Sequence, residues 1–351
     1  MRILVVRLSA LGDLVHILPA VAALRRRFPD AEIDWLVDER FRELVDLVTV
    51  VDNAYTLSRS GVRAWSDIWR AARLLRRRQY DITIDAQGLL KSAIAARLSG
   101  AGRVIGFDEA DLREPAARWL YTESVGVAGA THVVEKNLAL VEALVGERDT
   151  WEFPIDTRPS GVLTRTRNEL RLDDADDFVL LHPGTAWPSK CWDPLRYGAL
   201  ARRLWADHQM KSAVIWGPGD ENRAHAVAKA SDGAATLTPA TGISDLVAHV
   251  RAAAVVVAGD TGPLHLAAAV GTPVVGIYGP SDPKRNGPWS ALDQVVSVGD
   301  SCRCRLDRQH QKSRGVVVRQ CSQPRPCLNE ITVEDVFQSV EHRLSLAATH
   351  E

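Results

Sequence analysis

Near its start the chain reads Ile3-Leu4-Val5-Val6-Arg7-Leu8-Ser9-Ala10-Leu11-Gly12-Asp13. Residues 3–8 are apolar except for Arg7, the pattern of a strand buried on both faces. The turn 9–13 follows. From 14 to 28 apolar residues return at helical spacing, and the segment reads as an amphipathic helix containing Pro19. Strand, turn and helix then alternate outward from this unit. Strands are expected at 33–37, 81–85 and 103–107, and helices at 39–47, 64–78, 91–99, 115–121 and 132–145. In the 64–78 helix, Trp65, Ile68, Trp69, Ala72 and Leu75 form the expected core stripe.

Residues 146–160 carry charges and two prolines without periodicity, which marks a linker. The alternation then restarts, with strands expected at 178–182, 213–216, 254–258 and 273–278. Helices are expected at 194–208, 220–231, 244–252, 263–270 and 333–347. Two runs of strand–helix alternation predict two α/β domains, each around a parallel sheet. In open parallel sheets ligands sit beyond the carboxyl ends of the strands, so the turns after the strands become the candidate site.

The bulk properties agree with this reading. The chain has 351 residues, enough for two domains, and 46% are hydrophobic. Basic and acidic residues number 43 and 44, giving a formal net charge of -1. That balance argues against a wholly basic nucleic-acid coat and against an acidic disordered chain. No apolar run approaches the ~20 residues of a membrane helix. The apolar run at the start is too short for a signal peptide, so a cytoplasmic protein is expected. Five cysteines, an odd number in a long chain, do not suggest a secreted disulfide scaffold.

Five turns after strands are the candidates for the chemistry. Gly12 followed by Asp13 places a carboxylate at the end of the first strand. Asp13 serves either as a general base, worth about 10²–10⁴ in rate, or as a cap on the next helix. The turn holds one glycine where the dinucleotide fingerprint holds three, which argues against a dehydrogenase. In the second half, Asp260-Thr261-Gly262-Pro263-Leu264-His265 opens a helix. Its free amides and Thr261 make an anion site, with plain capping by Asp260 or Thr261 as the alternative. Pro183-Gly184-Thr185 leads to Lys190, a point charge suited to phosphate at a spacing that is not a P-loop. Gly217-Pro218-Gly219-Asp220-Glu221 offers Glu221 to ribose hydroxyls, or simply an acid in a helix's first turn. The turn 279–283 reads as a cleft-closing segment or as an ordinary tight turn.

Taken together, these motifs resemble glycosyltransferase family 9, the ADP-heptose:lipopolysaccharide heptosyltransferases. The second half carries Gly259-Asp260-Thr261-Gly262-Pro263-Leu264-His265-Leu266-Ala267-Ala268-Ala269 and Gly276-Ile277-Tyr278-Gly279-Pro280. The first half carries Leu11-Gly12-Asp13-Leu14-Val15-His16-Ile17-Leu18-Pro19-Ala20, Ile33-Asp34-Trp35-Leu36-Val37-Asp38-Glu39 and the stretch from Tyr80 to Ala93. Arg113-Glu114-Pro115 and His132-Val133-Val134-Glu135-Lys136-Asn137 add to it, and these first-half motifs look like the heptosyltransferase I branch.

The resemblance implies a GT-B architecture, two Rossmann-like parallel-sheet domains facing a central cleft. Residues 1–150 would bind the acceptor and 160–330 the nucleotide sugar, with a last helix at 331–351 packing back on the first domain. It implies inverting transfer of L-glycero-D-manno-heptose from ADP-heptose to 3-deoxy-D-manno-octulosonic acid (Kdo) of lipid A. Asp13 would be the general base. Thr185, Lys190, Thr261 and Gly262 would hold the diphosphate in place of a metal ion, so no cofactor is required. Glu221 would hold the ribose, Asp260 would contact the heptose or order its loop, and His265 matches a family position of open role. Ser9, Gly12, Arg59, Arg63 and Arg113 would serve the acceptor. A monomer at the cytoplasmic face of the inner membrane is expected, with no nucleic-acid partner.

The near-neutral sum hides segregation. Residues 59–78 hold seven arginines and one acid, and residues 301–327 hold six arginines, one lysine and one acid. Each segment is +6, which leaves -13 for everything else. Solvated faces are one reading; an anionic membrane or acceptor partner is the other. RNA binding would need exposed aromatics among the cations, and Trp65 and Trp69 are assigned to the core. Cys302, Cys304, Cys321 and Cys327 are either a metal or disulfide cluster at non-standard spacing or reduced loop thiols. Outside heptosyltransferase I, the alternatives are another family 9 enzyme, a GT-B-like epimerase, or a non-catalytic binding protein.

Overall fold

A computed structural model of the chain describes residues 1–57, 63–127, 129–146, 151–302 and 326–348, side chains of 63–68, 300 and 347–348 excepted. Two compact units divide at Asp156 and Thr157, inside the stretch expected as a linker. In the first, the strands are β1 (Arg2–Val6), β2 (Glu32–Asp38), β3 (Asn53–Leu57), β4 (Ile82–Asp85), β5 (Arg103–Phe107) and β6 (Glu123–Val125). Its helices are α1 (Leu11–His16), α2 (Leu18–Arg27), α3 (Arg42–Val45), α4 (Arg63–Arg78), α5 (Leu90–Leu98) and α6 (Val133–Val145). The sheet is parallel throughout, in the order β3-β2-β1-β4-β5-β6.

The second unit repeats that plan. Its strands are β7 (Phe178–His182), β8 (Lys211–Val214), β9 (Ala235–Leu237), β10 (Val255–Gly259), β11 (Val274–Tyr278) and β12 (Gln294–Ser297). Helices α7 (Gly161–Leu170), α8 (Pro194–His208), α9 (Glu221–Ala230), α10 (Ile243–Ala252), α11 (Gly262–Ala269), α12 (Pro283–Asn286) and α13 (Val333–Ala348) flank it. The parallel order β12-β11-β10-β7-β8-β9 is that of the first sheet. In both units the chain starts in the middle, winds one way for three strands, then returns to wind the other way. The strand order therefore reverses between β1 and β4 and between β7 and β10, and such switch points are where doubly wound sheets bind ligands.

The central strands β7, β10 and β11 are buried along their whole length. Val179, Leu181, Val257 and Ile277 pack from one sheet face onto Leu200 and Leu204 of α8 and Val227 of α9. On the matching face of the first sheet, Leu4, Val6 and Val104 meet Leu75 of α4, Ala93 and Ala96 of α5, and Ala117. Gly106 of β5 is a glycine because the Tyr121 ring lies there; an added Cβ would fall 2.2 Å from it.

Three expectations change. The single helix expected at 14–28 is two, because Ile17 ends α1 and Pro19 sits in the first turn of α2, where its missing N–H costs nothing. Ala72 and Leu75 are buried, but Trp69 is 62% exposed. At 100° per residue, each three-residue step back from Leu75 drifts by about 60°, which carries Trp69 some 120° off the buried stripe. The last helix, expected to pack back on the first domain, lays its apolar face on the sheet of the second unit. Val336, Phe337 and Val340 complete the core of the second sheet, and Arg203 of α8 stacks 4.0 Å over the Phe337 ring.

Phe337→Ala should therefore lower stability by about 3–5 kcal/mol. Urea denaturation checks this, and a loss well under ~1 kcal/mol would contradict the packing of α13 on that sheet.

Candidate functional site

Each switch point is tied across by polar side chains, and the site residues gather there. In the first unit Gln87, just after β4, accepts from the Leu8 and Ser9 amides at 2.9 and 3.2 Å. Arg7 donates to the Ala86 carbonyl and pairs with Asp13 at 2.9 Å. The other Asp13 oxygen accepts from the Ala10 amide at 3.1 Å. Asp13 thus lies inside the first turn of α1 and reaches back to its start, so the capping role is present. Its side chain is still 37% exposed. Each carboxylate oxygen has two lone-pair positions, so one protein donor apiece leaves both able to accept from a ligand. Ser9 is half-buried and Gly12 buried in the same turn.

Asp85 anchors the loop behind Gln87. It is fully buried, and burial pushes its carboxyl up against hydrogen bonds from Tyr121, the Gln87 amide and Ser92. Arg113 is exposed in the segment after β5. Arg59 lies outside the described residues, as does the Arg63 side chain.

In the second unit Lys190 forms an ion pair with Asp260, joining the loop after β7 to the loop after β10. Lys190 also sits 5.1 Å over the Trp187 ring. The other oxygen of Asp260 receives His265 Nε2 at 3.1 Å and the Asn286 amide. Burial works to raise the Asp260 carboxyl, but the His265 hydrogen bond and the Lys190 charge outweigh it and hold it far below the carboxylate range. Thr261 is the N-cap of α11 and makes no side-chain cap bond; its hydroxyl donates to the Gly259 carbonyl at 3.2 Å. Neither Asp260 nor Thr261 caps the helix by its side chain, which leaves the leading amides of α11 without a side-chain cap among the described residues.

Thr185 is half-buried and lines a cavity of about 410 Å³ with Pro188, Gly217, Pro218, Asp220 and Arg223. Gly184 allows this wall, since a Cβ there would come within 2.2 Å of Asp220. Glu221 begins α9 with its side chain 60% exposed, beside the cavity rather than in its wall. A larger open groove of about 580 Å³ between β12 and α13 contains none of these residues and touches neither switch point.

Several groups here escape sequence reading. Asn286 and Trp187 brace Asp260 and Lys190 from positions that carry no motif of their own. His182 Nδ1 and the hydroxyls of Ser189, Thr238 and Ser281 are buried with no hydrogen-bond partner among the described residues. His182 ends β7, and the three hydroxyls lie in the segments after β7, β9 and β11, where a polar ligand would satisfy them. Cys302 and Cys327 approach to 2.9 Å, while Cys304 and Cys321 lie outside the described residues.

His182 offers a test of this buried edge. Burial lowers its imidazole from 6.5 to about 4. Below pH 6.5 the unfolded chain takes up a proton that the native imidazole refuses until about pH 4, so native stability falls across that window. The loss should reach about 1–3 kcal/mol. His182→Asn removes it, so urea denaturation at neutral and acid pH should show a shallower acid loss in the variant; parallel slopes would mean that the imidazole is not held neutral.

Comparison with known proteins meets this geometry. The model of glycosyltransferase family 9 (heptosyltransferase) matches residues 68–315. Lipopolysaccharide heptosyltransferase 1 of Pseudomonas aeruginosa is 32% identical over 319 residues, 87% of this chain and 85% of that one. The Escherichia coli K12 enzyme of the same name is 30% identical over 325 residues, covering 88% and 95%. Among solved structures, E. coli heptosyltransferase WaaC with ADP aligns at TM-score 0.75 and 25% identity over 99% and 100% of the two chains. A family 9 glycosyl transferase from Veillonella parvula aligns at TM-score 0.80 and 22% identity over 98% and 97%. The two doubly wound sheets are thus those of the GT-B class, and the chain belongs to glycosyltransferase family 9, the heptosyltransferases.

Proposed function

We propose that this enzyme transfers L-glycero-D-manno-heptose from ADP-heptose to a Kdo residue of lipid A, with inversion, as a step in assembling the lipopolysaccharide core. The names of its relatives support the substrate class. The observation that carries the reading is the Lys190–Asp260 pair beside the uncapped start of α11.

In this reading the diphosphate of the donor lies against the α11 amides, Thr261 and Gly262, with Thr185 on its other side. Lys190 supplies the cation. The half-buried ammonium already faces one anion, and the arriving phosphate shares it. Asp260 keeps its place because His265 and Asn286 hold its other oxygen. Its Lys190-facing oxygen then accepts from heptose hydroxyls, and Glu221 accepts from the ribose. As the anomeric C–O bond breaks, charge grows on the leaving ADP. Fixed donors are worth most there, about 2.7–4 kcal/mol for one well-placed hydrogen bond. This arrangement asks for no cofactor.

On the acceptor side Asp13 takes the proton as the acceptor oxygen attacks the anomeric carbon. The O–H electron pair stays on the acceptor oxygen as its bond to the anomeric carbon forms, and the electron pair of the breaking anomeric C–O bond leaves with ADP. Arg7 holds the carboxylate in position. Ser9 and Gly12 shape the turn, and Arg59, Arg63 and Arg113 meet the carboxylate and phosphates of the acceptor as bidentate forks. The protein works as a monomer on the cytoplasmic face of the inner membrane. No helix among the described residues is long and apolar enough to cross that membrane, so contact is peripheral in this reading.

Asp13→Ala should cut transfer by about 10²–10⁴. Calorimetric binding of ADP-heptose should stay unchanged, because the donor lies in the other unit's switch point. Transfer retained in the variant would remove Asp13 as the base.

A further inference from the structure

We infer that the helical layer formed by α4, α5 and residues 115–120 is a docking face for an anionic lipid bilayer. This deepens the function proposed above and rests on its lipid-borne acceptor. The three segments lie side by side on one face of the first sheet, with Leu75, Ala93 and Ala117 turned inward onto it. Glu114 ties them together by accepting the Leu90 amide at 2.6 Å, and Arg78 fixes the end of α4 to Glu32 and Asp34.

The outward side is unlike the rest of the described surface. Trp119 is 88% exposed, Trp69 62%, Leu74 49% and Leu90 40%. Apart from Met1, these are the exposed large hydrophobic residues of the first unit among the described residues. Single exposed apolar side chains are ordinary, but four on one layer are a pattern. Around them α4 presents Arg70, Arg73, Arg76 and Arg77, and α5 presents Arg97. Asp67 is the one acid in the sequence of α4, and no Asp or Glu occurs in 69–78, 90–98 or 115–120.

Cations in such excess over acids select an anionic partner. The apolar groups decide its kind. Indole rings favour the headgroup level of a bilayer, and arginines pair with lipid phosphates there. Trp69 and Trp119 could also stack on nucleic-acid bases. Leu74 and Leu90 have neither stacking nor phosphate chemistry, and a hydrocarbon boundary is what removes them from water. A protein anchored by this face would keep its acceptor side near lipid-borne sugar without a membrane-spanning segment.

The test is co-sedimentation with vesicles of phosphatidylcholine alone or of phosphatidylcholine mixed with phosphatidylglycerol. Binding should require the anionic lipid and should fall with salt. The Trp69→Ser/Trp119→Ser double variant should partition about tenfold more weakly. Arg73→Gln should weaken binding about fivefold at low salt. Transfer to a lipid-free Kdo acceptor should be unchanged in the tryptophan variant, which also shows that it is folded. Equal binding to neutral vesicles, undiminished binding by the double variant, or tighter retention on single-stranded RNA than on anionic vesicles would each overturn the inference. Absence of transfer to the soluble acceptor in every form, with vesicle binding intact, would instead count against the proposed function.

Discussion

Strands buried on both faces of a sheet cannot carry polar groups along their length without leaving them unsatisfied. In β7, β10 and β11 every residue is buried and nearly all are apolar. The chemistry is therefore pushed to the carboxyl ends, and the switch points concentrate it further because two loops diverge there. The protein uses this constraint twice. Between β1 and β4, Gln87 and Arg7 stitch one loop to the other and present Asp13. Between β7 and β10, Lys190 and Asp260 do the same, and Thr261 leaves the start of α11 open.

The two halves are electrostatically opposite in purpose. The first presents a carboxylate paired with Arg7. The second presents a cation beside a helix N-terminus. Asp260 keeps Lys190 in place at the cost of partly neutralising it, and His265 and Asn286 relieve that cost by taking up the carboxylate's other oxygen. The net charge of -1 conceals this arrangement together with the basic layer on α4 and α5.

The elements legible in the sequence were those with a one-sided physical cause. Continuous apolar runs marked β1, β7, β10 and β11, and the turns after them held Asp13, Lys190 and Asp260. The edge strands β3, β6, β9 and β12 were not legible, because short strands with one solvated side lack such a run. Trp69 was misread because an apolar residue three places from another need not share its face. The destination of α13 is a tertiary matter: its apolar stripe says that it packs, not on which sheet. Asn286 and His182 carry no local signature, since their roles come from contacts with residues far away in the chain.

The most direct measurement of the central claim is the release of ADP from ADP-heptose with and without Kdo-lipid A. An enzyme that pairs a donor-holding switch point with an acceptor-activating one should release ADP only when the acceptor is present, in equal amount to heptosylated product. ADP release at the same rate without acceptor, or acceptor-independent change of the sugar, would contradict the account.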